Sequence, residues 1–447
     1  MFSSSTVPST KLTGSMETPE IAKKFKYWQI QTMAVTWVSY AVFFIMRKCI
    51  SMATLGIQAD LGISKDQLGI FFTLHGLIYG VSRFSSSLVI HKFIARNFLA
   101  CGLVLCAICN FAFGCSSTVL VMGILWLLHG IFQGMGWPPS ARLLPYWIHP
   151  QELATKMSIW NTSHCVGSVI ILAVGGCLAS LGWRNVFFVP SIAGLAAAVI
   201  VWIFLRDTPS SVGLPELTFG ENYEKTKDKK KESIEFKKFI KKQVFKNHYI
   251  WILGISNLFV YVLRFAVLDW GPMLLKEWKG LSLTQGGFIV AAFEIFGAVG
   301  IITCGWVTDK YFGGKSPRVC AIAMALGSFF LFLFWYMPST YAWVSLIALV
   351  LSGFFIYGVQ SLVLVAVSNI ATKRAAATAN GFVGIWGYGA VIFTGWLLGR
   401  IARLFGWDTA LGFIILFGVV GTVLLAFAWK AKATGYEELE MGSNVKA

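Results

Sequence analysis

Two arginines lie deep inside apolar stretches of this chain, at corresponding places in its two halves. Arg47 ends the stretch TWVSYAVFFIMR, and Arg264 ends SNLFVYVLR. A guanidinium at bilayer depth costs several kcal/mol, so it normally faces an anion or a polar pathway. A phosphate monoester carries about −1.5 to −2 charges at pH 7, and two guanidinium forks can neutralise and hydrogen-bond it. The pair predicts an anion site, against the alternatives of structural ion pairs or side chains that snorkel to the interface.

Two further basic groups are candidates for the same site. Arg83 in GLIYGVSRF would add a third cation to the cavity or would snorkel towards the cytoplasmic end of its span. His164 in SIWNTSHCV could donate a hydrogen bond to a phosphate oxygen, although a lone histidine in a helix is more often a packing residue. We include both in the predicted phosphate site.

A lysine and two carboxylates in the apolar stretches suggest a gate. Lys48 stands in the first half, whereas Asp269 and Glu294 stand in the second. An ion pair between the halves would hold them together on one side and would break when the cavity switches face. A static pair within one half is the alternative.

Other polar residues in the apolar stretches are candidates for contacts to a sugar. They are Tyr40, Tyr79, Asn161, Tyr261, Gln360 and Tyr388. His75, His129 and the nine cysteines are interpreted as packing residues, because the spacing Cys106-x-x-Cys109 has no second ligand pair. We therefore predict no metal, no cofactor and no catalytic set, so an enzyme is not expected.

Composition requires a membrane for these residues. The chain is 56% hydrophobic and only 13% charged, with a mean hydropathy of +0.69. Because about 20 helical residues cross the hydrocarbon core, the apolar stretches predict an all-α polytopic protein of twelve transmembrane helices. We place these near 30–58, 67–90, 97–118, 119–146, 154–181, 185–206, 249–274, 284–308, 318–337, 342–368, 376–400 and 409–430.

The basic residues predict the orientation of the chain. Lysine and arginine concentrate in the N-terminal tail and in alternate loops, so both termini are expected in the cytoplasm and the protein in the inner, or plasma, membrane. This bias accounts for much of the net charge of +17. The expected partners are the lipid bilayer and small molecules, with no nucleic acid, and a monomer is expected.

The two halves have the pattern of a diverged repeat. Arg47 and Arg264 are separated by 217 positions, and Gly134 and Gly358 by 224. A nearly constant offset predicts two pseudo-symmetric six-helix bundles with a site between them at the midplane. The predicted parts are a tail (1–29), an N-terminal bundle (30–206), a cytoplasmic linker (207–248), a C-terminal bundle (249–430) and a second tail (431–447).

One loop carries a recognisable pattern of glycine and charge. Gly305 is followed by Asp309 and Lys310, with Arg318 beyond. The glycine would permit close helix approach, and the carboxylate could cap or pair with a neighbouring helix end. We interpret it as a cytoplasmic loop motif.

Several stretches together resemble the organophosphate:phosphate antiporter family of the major facilitator superfamily. They include VSYAVFFIMRK, HGIFQGMGWPPSARLLPYW, YVLRFAVLDWGPMLLKEWKG and GWVTDKYFGG, and the resemblance runs from about residue 27 to 430. Within the family the sequence looks most similar to bacterial hexose-phosphate transporters, including the chlamydial type, and to hexose-phosphate sensors.

The resemblance implies the major facilitator fold and an activity. It implies exchange of a sugar phosphate, glucose 6-phosphate above all, for inorganic phosphate by rocker-switch alternating access. It also implies phosphate-binding roles for Arg47, Arg264 and His164, and interdomain roles for Lys48, Asp269 and Glu294. A transporter-like sensor of hexose phosphate and a proton-coupled organophosphate symporter remain open alternatives.

Overall fold

Helices make up the protein in the computed structural model, which describes residues 19–148, 156–157, 159–215, 239–338 and 341–431. None of these residues forms a β-strand. Most of the predicted linker and the ends of both predicted tails lie outside the described residues. The α-helices are α1 Pro19–Leu61, α2 Lys65–Val89, α3 Ala95–Cys115, α4 Val119–Gln133, α5 Trp137–Trp147, α6 Ser163–Ser180, α7 Asn185–Phe204, α8 His248–Lys279, α9 Leu283–Phe312, α10 Ser316–Tyr336, α11 Ala342–Gly389 and α12 Leu398–Phe427.

Among the described residues, ten helical segments are long and apolar enough to cross a membrane by length and composition. Helix α2 has 25 residues and is not among them. The segment Thr378–Phe427 is 50 residues long. Gly406 inside it has a positive φ of 82°, which lies outside the right-handed helical region. The segment is thus long enough for two crossings with a break at this glycine, because 20 residues suffice for one. These features fit the all-α architecture, while the count of twelve stays a prediction.

The 48-residue helix α11 turns back on itself, as the predicted spans 342–368 and 376–400 require. Asn380 Nδ2 donates a hydrogen bond of 2.8 Å to Ser368 Oγ. Twelve residues of straight helix would separate these positions by about 18 Å. The chain must therefore reverse between them, which gives two arms.

The same device starts a helix in each half. Ser64 and Gln67 form a capping box at the start of α2, and Ser282 and Gln285 form one at the start of α9. In such a box the serine side chain and the glutamine side chain satisfy backbone donors that the first turn leaves unpaired. Their 218-residue separation matches the offset of the predicted repeat.

The halves pack closely at the end where α2 begins. A Cβ on Gly69 of α2 would lie 2.8 Å from the carbonyl carbon of Gly395. Thr73 Oγ1 donates to the carbonyl of Val391 at 3.0 Å and accepts from the backbone nitrogen of Trp396 at 2.9 Å. Only a glycine allows this backbone approach, so the first part of α2 is fixed against the second half.

Candidate anion-binding site

Arg264 is buried in α8 with an incomplete set of partners. Its Nη1 donates to Gln360 Oε1 at 2.9 Å, its Nη2 lies 3.7 Å from Glu294 Oε1, and its guanidinium lies 4.3 Å from the ring centroid of Tyr357. Glu294 is fully buried. Neither Glu294 oxygen nor Arg264 Nε is hydrogen-bonded to a described residue. Donors of Arg264 therefore remain available for another acceptor.

Gln360 orients this arginine from the neighbouring helix. Its Oε1 accepts from Arg264, while its Nε2 donates to the hydroxyl of Tyr261 at 3.2 Å. Because a guanidinium can only donate, this bond fixes which way the amide points. Two of the predicted sugar-contact residues thus form one network with the arginine.

Arg47, on α1, lies among aromatic rings rather than carboxylates. Its guanidinium is 4.1 Å from the ring centroid of Tyr79 and 5.4 Å from that of Phe44. Within the described part of the chain, no carboxylate lies within ion-pair distance of it. Cation–π contacts stabilise by about 0.5–2 kcal/mol each and do not neutralise the charge.

His164 lies close to Arg47, against the ring of Phe44. It is half-buried, packs edge-on against Phe44 at 5.4 Å, and is within electrostatic range of both Arg47 and Arg264. Its buried Nδ1 has no hydrogen-bond partner among the described residues. The structure thus brings His164 next to Arg47, since both contact the ring of Phe44.

Lys48 and Asp269 form an ion pair between the halves. Lys48 Nζ lies 2.5 Å from Asp269 Oδ1, with both side chains largely buried. The prediction that Glu294 offers Lys48 a second cross-half partner is wrong for this structure, because Glu294 faces Arg264 in its own half. The reason is that Glu294 on α9 pairs with Arg264 on α8, within the second half.

Arg83 also makes a contact between the halves. Its Nη1 donates to the Tyr388 hydroxyl at 2.6 Å, and its guanidinium lies 4.3 Å from the Trp137 ring centroid. Tyr388 in turn packs edge-on against Tyr79 at 5.6 Å. This arginine therefore joins the aromatic wall that surrounds Arg47.

Two of the predicted sugar-contact residues lie further along this wall. Tyr40 stacks on Trp160 at 4.7 Å, and Trp160 is anchored by a hydrogen bond to Thr36 at 3.2 Å. Asn161 is exposed and makes no hydrogen bond to another described residue through its side chain. Tyr40 is therefore fixed, whereas the Asn161 amide is available to an added molecule.

The loop motif does not bring helices together in this structure. A Cβ on Gly305 would meet no atom within 4 Å, so the expected close approach at this glycine is absent. Asp309 is exposed and pairs with no described basic residue. Lys310 lies over the rings of Trp306 and Tyr311, and Arg318 Nε donates to the carbonyl of Trp429 at 3.5 Å.

Four charged residues and a tryptophan form a further contact between the halves, which sequence analysis does not identify. Lys65 Nζ lies 2.6 Å from Glu277 Oε2, and Trp407 Nε1 donates to the same oxygen at 2.7 Å. Arg403 Nε lies 3.2 Å from Asp66 Oδ1. We call these five residues the end latch. Their positions beside span ends are their only sequence signal, and such charges are ordinary at membrane interfaces.

Comparisons with known proteins agree with this architecture. Residues 36–395 match the model of the Major Facilitator Superfamily. The chain is 33% identical to the "Probable hexose phosphate transport protein" of Chlamydia pneumoniae, over 92% of this chain and 93% of that protein. It is 34% identical to the "Glycerol-3-phosphate transporter" of Bacillus subtilis (strain 168), over 91% and 93%. It is 31% identical to the "Membrane sensor protein UhpC" of Escherichia coli (strain K12), over 91% and 94%.

Among solved structures, the chain is similar to a bacterial homologue of the human lysosomal transporter Spinster in an inward-facing, unoccupied conformation. The TM-score is 0.76 at 16% identity, covering 91% of this chain and 98% of that chain. This likeness shows the fold alone. Together these matches confirm the predicted family and the expectation that the chain is not an enzyme. The chain is a multi-pass membrane protein of the Major Facilitator Superfamily and belongs, within it, to the organophosphate:phosphate antiporter family.

Proposed function

We propose that the protein exchanges a sugar phosphate for inorganic phosphate across the membrane. The observation that carries this proposal is the net charge of a group of buried and half-buried residues that we call the central cluster. Its members are Arg47, Lys48, Arg83, Arg264, Asp269 and Glu294. Arg47, Lys48, Arg83 and Arg264 face only the carboxylates of Asp269 and Glu294 among the described residues of the cluster. Counted with both carboxylates ionised, the cluster has a net charge of +2.

A phosphate dianion matches this surplus in charge and in geometry. Inorganic phosphate and a phosphate monoester both carry up to about two negative charges near neutral pH. Their oxygens can accept from the unused donors of Arg264, from Arg47 and from His164 Nδ1 in its protonated tautomer. A neutral sugar would leave the surplus charge unchanged.

The same charge argues for obligatory exchange. Closing the cavity around an empty site would leave two uncompensated positive charges in a medium of low dielectric, which costs several kcal/mol. Phosphate and its ester relieve that cost equally, whereas an empty carrier does not. The carrier would therefore return only when loaded, without coupling to an ion gradient.

The proposal for the sugar is supported by relatives and not by charge. A hexose phosphate is supported by a relative that is named for hexose phosphate transport. It is also supported by the polar side chains around the arginines, which are Tyr261, Gln360 and Tyr388. We propose glucose 6-phosphate. The hydroxyl and amide groups of these side chains, together with Tyr40, Tyr79 and Asn161, would read the sugar hydroxyls.

We propose a rocker-switch cycle in which the end latch closes one face. Lys65 and Glu277 lie at the ends of α2 and α8 that the positive-inside rule assigns to the outer side of the inner membrane. With both termini in the cytoplasm, the closed latch corresponds to an inward-facing state. The N-terminal bundle (30–206) and the C-terminal bundle (249–430) of a monomer would rock about the site, joined by the linker 207–248.

Counterflow of labelled phosphate in reconstituted liposomes tests this function. Liposomes loaded with unlabelled phosphate should accumulate external labelled phosphate without a pH gradient, and glucose 6-phosphate should compete. Strict dependence on a proton gradient would instead support a symporter. The buried carboxylate of Glu294, which has no hydrogen bond to a described residue, favours this alternative. Binding of hexose phosphate without flux would support a sensor, which the similarity to a membrane sensor protein favours.

A further inference from the structure

Two histidines form a hydrogen-bonded pair that the proposed function leaves unused. His75 Nε2 on α2 lies 3.1 Å from His129 Nδ1 on α4, and both side chains are buried. Both rings pack on Trp126: the His129 ring stacks at 4.6 Å, and the His75 ring lies at 5.0 Å. The indole therefore fixes the plane of each imidazole.

A glutamine decides which nitrogen of each ring carries the proton. Gln133 Nε2 donates to the carbonyl of Phe43 at 2.8 Å and lies 3.5 Å from His129 Nε2. An amide nitrogen only donates, so His129 Nε2 accepts and the proton of the neutral ring is on Nδ1. That proton is donated to His75 Nε2, and the proton of His75 must then be on its own Nδ1.

The His75 donor points away from α4. A Cβ on Gly130 would lie 3.3 Å from His75 Cδ2, so the ring edge formed by Cδ2 and Nε2 faces α4. The opposite edge carries Nδ1. His75 also lines a cavity between the halves together with Arg47, Lys48 and Asp269. Among the residues that the structure describes, none accepts a hydrogen bond from Nδ1.

We propose that His75 is a phosphate-binding residue and that His129 and Gln133 position its Nδ1 proton towards the anion. The proposal rests on the proposed function. The cavity beside His75 is lined by two cationic side chains, Arg47 and Lys48. The carboxylate of Asp269, which also lines it, is paired with Lys48. An N–H donor in these surroundings suits an acceptor that carries negative charge, which is a phosphate oxygen. The cavity of about 20 Å³ admits one oxygen-sized group, so a phosphate held by Arg47 would reach His75 with a single oxygen.

The two amide residues test this geometry, because each replaces a different nitrogen of imidazole. In His75→Asn the amide nitrogen can occupy the place of Nδ1, whereas in His75→Gln it occupies the place of Nε2. We expect His75→Gln to weaken binding of inorganic phosphate by the purified full-length protein about 10- to 150-fold, the range for a lost hydrogen bond to a charged group. His75→Asn should stay within about threefold of the native protein. A packing role would favour glutamine, which is closer to histidine in length.

His129 is tested as a positioning residue by the same logic. His129→Leu removes the donor that orients His75 and should weaken phosphate binding, whereas His129→Asn keeps a donor at the place of Nδ1 and should rescue it. Asn110→Ser is the matched control, because Asn110 is a buried polar residue whose described partners, Phe187, Ser191 and Cys49, all lie in the N-terminal half. Its phosphate affinity should be native.

The outcomes separate this proposal from the function on which it rests. Native protein that binds no phosphate overturns the proposed function itself. Native binding with equal losses in His75→Asn and His75→Gln, or with a loss in Asn110→Ser as large as theirs, overturns only the role of His75. If a His75 variant does not fold, native-like affinity in His129→Leu overturns the positioning chain on its own.

Discussion

The Lys48–Asp269 pair can be used to separate the effect of ion pairing from the effect of net charge. The two side chains meet at 2.5 Å across the halves and are largely buried. Removing one partner of a buried pair costs about 3–5 kcal/mol, because the other charge is left uncompensated. At 1.4 kcal/mol per tenfold, Lys48→Met or Asp269→Asn alone should reduce phosphate exchange by about 100-fold or more.

The double variant should recover much of this loss for two reasons. Lys48→Met lowers the net charge of the cluster from +2 to +1, and Asp269→Asn raises it to +3. Together they leave no buried partner unpaired and restore +2. Independent effects would multiply to about 10,000-fold, whereas we expect the double variant to transport at least as well as either single variant.

A second double variant provides the matched control. Lys48→Met combined with Glu294→Gln also has a net charge of +2, but it leaves Asp269 without its lysine. Labelled-phosphate counterflow, at equal amounts of reconstituted protein, should show recovery with Asp269→Asn and not with Glu294→Gln. Equal recovery in both would mean that net charge alone matters, and multiplicative losses in both would refute the reasoning.

Three further predictions concern the anion site and the end latch. Arg47→Lys and Arg264→Lys keep the charge but lose the bidentate fork, so phosphate affinity should fall about 10- to 150-fold in each; native affinity in both, measured in purified protein, would contradict the anion site. Glu277→Gln removes the partly buried ion pair with Lys65. The equilibrium between inward-open and outward-open states should shift about fivefold towards the outward-open state, equivalent to about 1 kcal/mol. Unchanged distances between spin labels on the two halves would contradict a latch. His164→Ala should weaken phosphate binding and His164→Gln should weaken it less, because glutamine keeps a donor; equal affinity in native protein and the alanine variant would mean that His164 only packs.

Much of the membrane architecture can be predicted because it depends on local composition. Apolar stretches of the length of a bilayer core give the helices, and the reversal within α11 occurs where Lys373 and Arg374 interrupt the apolar residues. That Lys48 pairs with a carboxylate of the other half is also predictable, since opposite charges inside apolar stretches must find partners, but this reasoning leaves both Asp269 and Glu294 as candidates. These inferences require only the identity of residues and their depth.

Which partner a residue contacts is less predictable, because it depends on how helices rotate about their axes. Asp269 and Glu294 both stand in apolar stretches of the second half, but Glu294 pairs with Arg264. His75 and His129 are 54 residues apart, and no spacing rule indicates that they meet. Gly305 illustrates a different reason: in the proposed rocker-switch cycle, the separation of the helix ends that carry the loop motif would change with the state of the protein.

The two arginines are equivalent in the sequence but not in the structure, and the difference bears on how a phosphate would couple the halves. Arg264 is oriented by Gln360 and faces Glu294, whereas Arg47 packs against the rings of Tyr79 and Phe44 and has no ion-pair partner among the described residues. The uncompensated charge is therefore concentrated on the N-terminal half. A phosphate held first by the oriented donors of Arg264 would carry its second negative charge towards Arg47, where no protein group competes for it. Binding to one half thus creates the attraction that draws the other half onto it, which is the differential interaction that a ligand-driven closure requires.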